Sequence, residues 1–417
     1  MINPISLIRP ISPIGPIGLI GLISLIGLAI LLVSRLLRRR NFLQNLDSSL
    51  FLISVPQKPE TAEKPNFKSE INLSEQLFSA LGSLKKPFTL ETAVSYIGEE
   101  IRFYLAVPKK FSGAAVQQIH GLWPEAQIEE SDDYNIFNEK GFHKAGYFLQ
   151  KTNFSIPIRT YEDIGDDTFK AILSNLSKVK EIGEGAAIQV IVKQASPAYK
   201  KIINKYFNLV KKGQGIRDII KYPTSLLFIP NPQEILLPEE KKEPQTPIQV
   251  DEESKKVLEK KSSKPLFEVN IRLVTSASVE YEAESLLAGL EASFEPLSGT
   301  QSNGFRLIKP RKSAKLLFQF SFREFDPGQI CVLNSEELAS VFHLPASSTT
   351  VPKIKWLKAK EASPPADLPN AGILIGSSSF RGESKPIYIT EEDRRRHIYM
   401  IGQTGTGKST LITNMVS

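Results

Sequence analysis

A chain of 417 residues with 41% hydrophobic content and a formal net charge of +7 is long enough for about two to four domains, and too apolar to be disordered throughout. One cysteine, Cys331, excludes an intrachain disulfide, and His120, His143, His343 and His397 are scattered without metal-ligand spacing. Arg9, Arg35, Arg38, Arg39 and Arg40 all precede the first acidic residue, Asp47, so the positive excess reads as a membrane-topology signal more than a nucleic-acid one.

Residues 1–16 are a short Pro-rich start with Pro4, Pro10, Pro13 and Pro16. Residues 17–34 form an apolar run in which only Ser24 and Ser34 are polar, Leu36 and Leu37 can lengthen it to residue 37 past Arg35, and helical rise makes such a stretch just long enough to cross a hydrocarbon core. A signal peptide would put its charge before the run, whereas here the arginines follow it. The expectation is a single transmembrane helix at 17–37 in a cytoplasmic (inner) membrane, with residues 1–16 outside and the bulk of the chain in the cytoplasm.

Residues 49–230 are expected to be a first α+β unit. Strands are predicted at 49–55, 88–96, 101–107, 145–158 (one or two) and 186–192, with a turn at Gly98. Helices are predicted at 74–84, 111–123, 167–182 and 199–212. A Glu/Lys/Pro-rich linker at 231–264 leaves room for a helix at 251–261. A second α+β unit, 265–345, is predicted from strands at 267–274, 305–308 and 316–325 and a helix at 279–290. Its strand–helix–strand order echoes residues 101–128, which suggests a repeat of ferredoxin-like units with helices on one face of a mainly antiparallel sheet. Asn334 with Glu337 three residues on predicts a capping box opening a helix that ends at Pro345. A linker at 346–370 leads to strands at 373–376 and 386–389 and a charge run at 391–396. That run reads as a solvated loop, or, more pointedly, as a subunit-interface or phosphate contact.

Residues 371–417 carry the chemistry. Gly402-Gln403-Thr404-Gly405-Thr406-Gly407-Lys408-Ser409 matches G-x-x-x-x-G-K-[ST], between a predicted strand at 397–401 and a predicted helix at 408–415. Glycines let successive N–H groups curl around phosphate oxygens, and the helix start adds its partial positive charge. Lys408 would reach the β- and γ-phosphates of ATP, and Ser409 would give its hydroxyl to Mg²⁺, with Thr410 completing the nucleotide-binding set. A Walker B carboxylate would lie beyond Ser417, so the chain is expected to be the N-terminal portion of a longer protein. By itself it should bind weakly and not turn over.

The run from Gly372 to Leu411, with Asp393-Arg394-Arg395-Arg396-His397 ahead of the loop, resembles the start of the ATPase domain in the FtsK–HerA superfamily, nearest to its type IV secretion and conjugation ATPases, including the coupling proteins. Glu336-Glu337-Leu338-Ala339 through Phe342-His343-Leu344-Pro345 resembles the segment those proteins carry ahead of it. The resemblance covers roughly the last eighty residues. It implies the beginning of a RecA-like α/β domain, a homo-hexamer, ATP hydrolysis, movement of DNA or protein across a membrane, and secretion-channel partners. It assigns no catalytic residue here. Two other readings are an ABC-type transporter ATPase, whose loop has the same pattern, and a non-catalytic, membrane-tethered scaffold.

Overall fold

Period-two alternation sorts the strand side chains onto two faces. Along β2 (Phe88–Val94), Phe88, Leu90 and Val94 enter one apolar cluster, while Thr89, Glu91 and Ala93 point the other way. β6 (Gly185–Gln194) and β7 (Leu266–Ala277) alternate alike: Ile188, Val190, Ile271 and Leu273 join the first cluster, Ala187 and Val274 the second.

The computed structural model describes residues 47–57, 66–180, 182–213, 252–300, 302–347, 349–357, 364–365, 367–380, 383–402 and 405–416. Together with β1 (Ser48–Ser54), β3 (Arg102–Pro108), β4 (Gln127–Glu130), β5 (Phe142–Gln150), β8 (Phe305–Ile308) and β9 (Cys331–Asn334), these strands make one nine-stranded sheet. Its order is β4-β1-β3-β2-β6-β7-β5-β8, and every pairing is antiparallel. β9 pairs with Leu266–Val269 of β7, on the same edge where Arg272–Ala277 pair with β5.

One face is covered by α1 (Phe67–Gly82), α2 (Ser112–Leu122), α4 (Lys170–Leu176) and α7 (Glu280–Ala292), after the one-turn α3 (Tyr161–Ile164). Asn66 caps α1 by accepting from the Lys68 N–H, so this helix starts a full turn and more before the expected position at 74. α9 (Ser335–Val341) packs on α1, and the strap behind it, residues 342–357, runs across this face to bridge Ile101 and Pro56. The other face is closed by residues 131–141, through Ile136, and by α8 (Ala314–Ser321), through Leu316 and Phe320. α5 (Pro197–Lys211) and α6 (Glu252–Ser262) pack on each other in a third cluster with Phe154 and Val332.

The strand order shows two β-α-β-β-α-β runs, each with spatial order 4-1-3-2: β1-α1-β2-β3-α2-β4 and β5-α4-β6-β7-α7-β8. They meet where β2 pairs with β6, from Phe88 against Val192 to Val94 against Ala186.

This architecture corrects the expected one on four counts. Separate α+β units at 49–230 and 265–345 are not present; a single sheet spans both, and β5 sits between β7 and β8. The reason is that β2 and β6 are buried along nearly their whole length, so neither can serve as a solvated edge. No helix among the described residues is long and apolar enough to cross a membrane, and the run at 17–37 lies outside those residues. The expected start of a RecA-like α/β domain is instead an antiparallel hairpin, β10 (Ile373–Phe380) with β11 (Glu383–Ile389), followed by α10 (Lys408–Val416). Residues 397–401 form no strand. Finally, residues 316–325, expected as a strand, begin inside α8. Leu316, Gln319 and Phe320 are buried at helical spacing, against a sheet with no vacant central position.

Candidate functional site

α10 opens at Lys408, directly after Gly405 and Gly407, which hold φ of 86° and 83°. That left-handed backbone is open to glycine at little cost and would strain other residues, whatever the space around them. The Leu411 N–H donates to the Gly407 carbonyl at 2.9 Å, so the first turn of the helix is closed onto the loop. Lys408 Nζ donates to the Gly402 carbonyl at 2.6 Å and so folds back across the loop. A Cβ at Gly402 would meet Thr406 Oγ1 at 2.7 Å, so a larger residue there would displace the Thr406 hydroxyl. The structure thus brings Gly402, Thr406, Gly407 and Lys408 together, with Ser409 and Thr410 exposed at the start of the helix; Gln403 and Thr404 lie outside the described residues.

The surroundings of the loop are open. Ile398, Tyr399 and Ile401 are 46%, 87% and 82% exposed, and among the described residues no strand pairs with them. The charge run forms a 3-10 turn (Asp393–Arg395), held by Thr390 Oγ1 donating to Asp393 and laced by exposed Glu391–Arg395 and Glu392–Arg396 pairs. The loop and the start of α10 carry a cation at Lys408 and a hydroxyl at Ser409 beside the helix N-terminus. That donor set suits a phosphate with its Mg²⁺. Among the described residues no group of three His, Cys, Asp or Glu could hold a metal ion. His343 is buried, His143 contacts Ser276 Oγ at 3.1 Å, and His397 is exposed.

Sequence reasoning missed a second polar centre, on the sheet face that α8 closes. One cross-strand row reads Tyr104, Glu91, Gln189, Arg272, Tyr147. Gln189 donates to Glu91 Oε1 at 2.7 Å and accepts from Arg272 Nη1 at 3.0 Å, so one amide links a carboxylate in the first half to a guanidinium in the second. Arg272 is fully buried and also donates to Gln329, Asn270 and the carbonyls of Gln319 and Glu324. Burial pushes its guanidinium down to about 10, against the opposing fields of Asp326, Glu324 and Glu91. Burial would lower Arg323 too, but Glu91 and Asp133 beside it carry it above the usual arginine value. The polar positions were visible as alternation in Val269-Asn270-Ile271-Arg272-Leu273. Their burial was not, because it depends on residues 131–141 and 314–329.

A further missed pair is Lys261 with Glu337, at 2.6 Å and both fully buried. Burial lowers the lysine and Glu337 opposes that shift. Glu337 also completes the capping box with Asn334 and accepts from the Ile158 N–H at 2.9 Å, so it fixes three segments at once. Burial pushes the adjacent Cys331 thiol up to about 12, which leaves it protonated and inert.

A family model described as Domain of unknown function (DUF8128) matches residues 90–357, from β2 to the end of the strap. No curated protein matches the chain.

Proposed function

Since the chain belongs to the DUF8128 family through residues 90–357, and the loop at 402–409 lies outside that span, we propose a function that rests on the loop's own residues: binding of Mg·ATP. Two left-handed glycines directly before a helix that begins at the lysine carry this reading. In it, Lys408 leaves the Gly402 carbonyl for the β- and γ-phosphates, Ser409 takes the metal, and Gly402 to Thr410 wrap the phosphate chain. The resemblance to type IV secretion and conjugation ATPases supports extending the reading to an ATP-driven translocation apparatus that moves DNA or protein. The nine-stranded body would then be its assembly module, and the motor a homo-hexamer in contact with channel proteins.

Binding is the direct readout. A fluorescent ATP analogue with Mg²⁺, titrated with the full chain, should give a saturable signal that EDTA weakens. Lys408→Ala should lower affinity at least about tenfold while the melting transition of the body stays unchanged, since the side chain has no core contact. Equal affinity in wild type and variant would end the proposal.

A further inference from the structure

The second half of the sheet carries an addition that the first half lacks. Residues 95–101 join β2 to β3, but residues 195–265 join β6 to β7, and α5 is the first element of that addition. α5 is capped by Ser196, carries Pro197 in its first turn and contains no acidic residue. Tyr199, Ile203, Tyr206, Leu209 and Val210 are its buried side. The outer side exposes Lys200, Lys201, Asn204, Lys205, Asn208 and Lys211. Lys200, Lys201 and Lys205 make no ion pair among the described residues. Lys211 lies over the Phe207 ring, 4.4 Å from its centroid.

Lysines four residues apart on one face repel each other, so the arrangement works against the isolated helix and is relieved by a polyanion. At the N-terminal end of α5 a cleft of about 430 Å³ is lined by Gln194, Ser196, Lys200, Lys201, Asn204 and Lys264. Lys264 already pairs with Glu75 and Glu336, so the unmatched charge there comes from Lys200 and Lys201. None of the exposed large apolar side chains lies on α5, whereas a lipid-surface helix would drive Phe, Leu or Trp into the headgroups. The helix is about 22 Å long, which lets its lysines meet several phosphates of one strand in succession.

We propose that the outer face of α5, with the cleft at its N-terminal end, docks the phosphate backbone of duplex DNA without reading its sequence. The surface is separate from the nucleotide loop, and it stands or falls independently of Lys408.

The test is fluorescence anisotropy of a short labelled duplex with the full chain across a salt series. Replacing Lys200, Lys201 and Lys205 by Ala should weaken binding at least about tenfold. It should also reduce the steepness of log K against log salt by about 2.7, the loss of three phosphate contacts. An equal charge loss elsewhere, at the exposed Lys86, Lys109 and Lys110, should leave both quantities unchanged, as should Lys408→Ala. The pair Lys201→Glu and Lys205→Glu repeats the test, should the triple variant fail to melt like wild type. Equal weakening by both lysine sets would overturn the proposal. So would failure of wild type to bind the duplex, or binding to phosphatidylcholine–phosphatidylserine vesicles, rather than DNA, that requires the same three lysines.

Discussion

Residues 95–101 and residues 195–265 do the same topological work: each carries the chain from the second to the third strand of a β-α-β-β-α-β half. The first does so with a turn in which Gly98 holds φ of 117°. The second is about ten times longer and its described part includes α5 and α6, yet the strands it joins stay in register over ten pairs, from Gly185 against Ser276 to Gln194 against Phe267. The Ala195 N–H donates to the Leu266 carbonyl at 3.0 Å, so the ladder itself brings the two ends together. Closing a longer loop costs little more than closing a short one, so a central, well-paired pair of strands tolerates an insertion. This is where the fold can accept new surface without losing its core, and it is where Lys200, Lys201 and Lys205, which form no ion pair among the described residues, stand.

The two halves are tied on both faces, and each tie can be broken separately. The largest effect is expected at Arg272, where the row across the sheet joins the halves. Arg272→Ala would leave Gln189, Gln329 and two backbone carbonyls without their donor and open a cavity, a loss of about 3–5 kcal/mol. Urea unfolding should stay a single transition with a lower midpoint; the appearance of a second transition would show that the halves unfold independently.

The strap supplies the tie on the helix face. His343 contacts Asp167 Oδ1 at 2.9 Å and the Ala339 carbonyl at 2.8 Å, while at the strap's far end the Ile101 N–H donates to the Lys353 carbonyl and the Lys355 N–H donates to the Ile101 carbonyl. Burial would raise the Asp167 carboxyl, but His343, Thr349 and the Phe169 N–H together carry it down to about 2. A carboxylate depressed in the folded state stabilises above its ordinary value near 3.8 and loses that contribution as pH falls through about 2. The contribution is about 2 kcal/mol. The stability gap between wild type and Asp167→Asn, measured by denaturation, should therefore shrink between pH 4 and pH 2. A gap independent of pH would remove the Asp167 carboxylate from the account.

The smallest effect belongs to the short connection. A Cβ at Gly98 would meet nothing within 4 Å, so Gly98→Ala tests backbone strain alone and should cost about 1 kcal/mol. A much larger loss in thermal melts would mean that this turn, unlike its long counterpart, sets the register of its strands.

What could be read from the amino-acid order is what neighbours in the chain decide among themselves. Asn334 and Glu337 are three residues apart, and they form the box that their spacing predicts. The glycine-rich loop at 402–409 is equally legible as a local pattern, since its glycines, lysine and serine lie within eight residues and the helix behind it forms where expected. The basic face of α5 was hidden by averaging: a whole-chain charge balance is dominated by the arginines near the N-terminus and cannot register four lysines that share one exposed surface. Tertiary structure alone decided the rest. Leu316, Phe318, Phe320 and Phe322 alternate as a strand would, but with the sheet's central positions filled the first three fold into a helix that buries Leu316 and Phe320, and Phe322 caps its end. Residues 397–401 are apolar enough for a strand, and among the described residues none pairs with them. Glu91, Gln189 and Arg272 come from three distant strands, and only the pairing of β2 with β6 and β6 with β7 sets them in one row. Hydrogen-bond partners that distant in sequence meet only after the sheet has closed, so the periodicity of any one segment carries no trace of them.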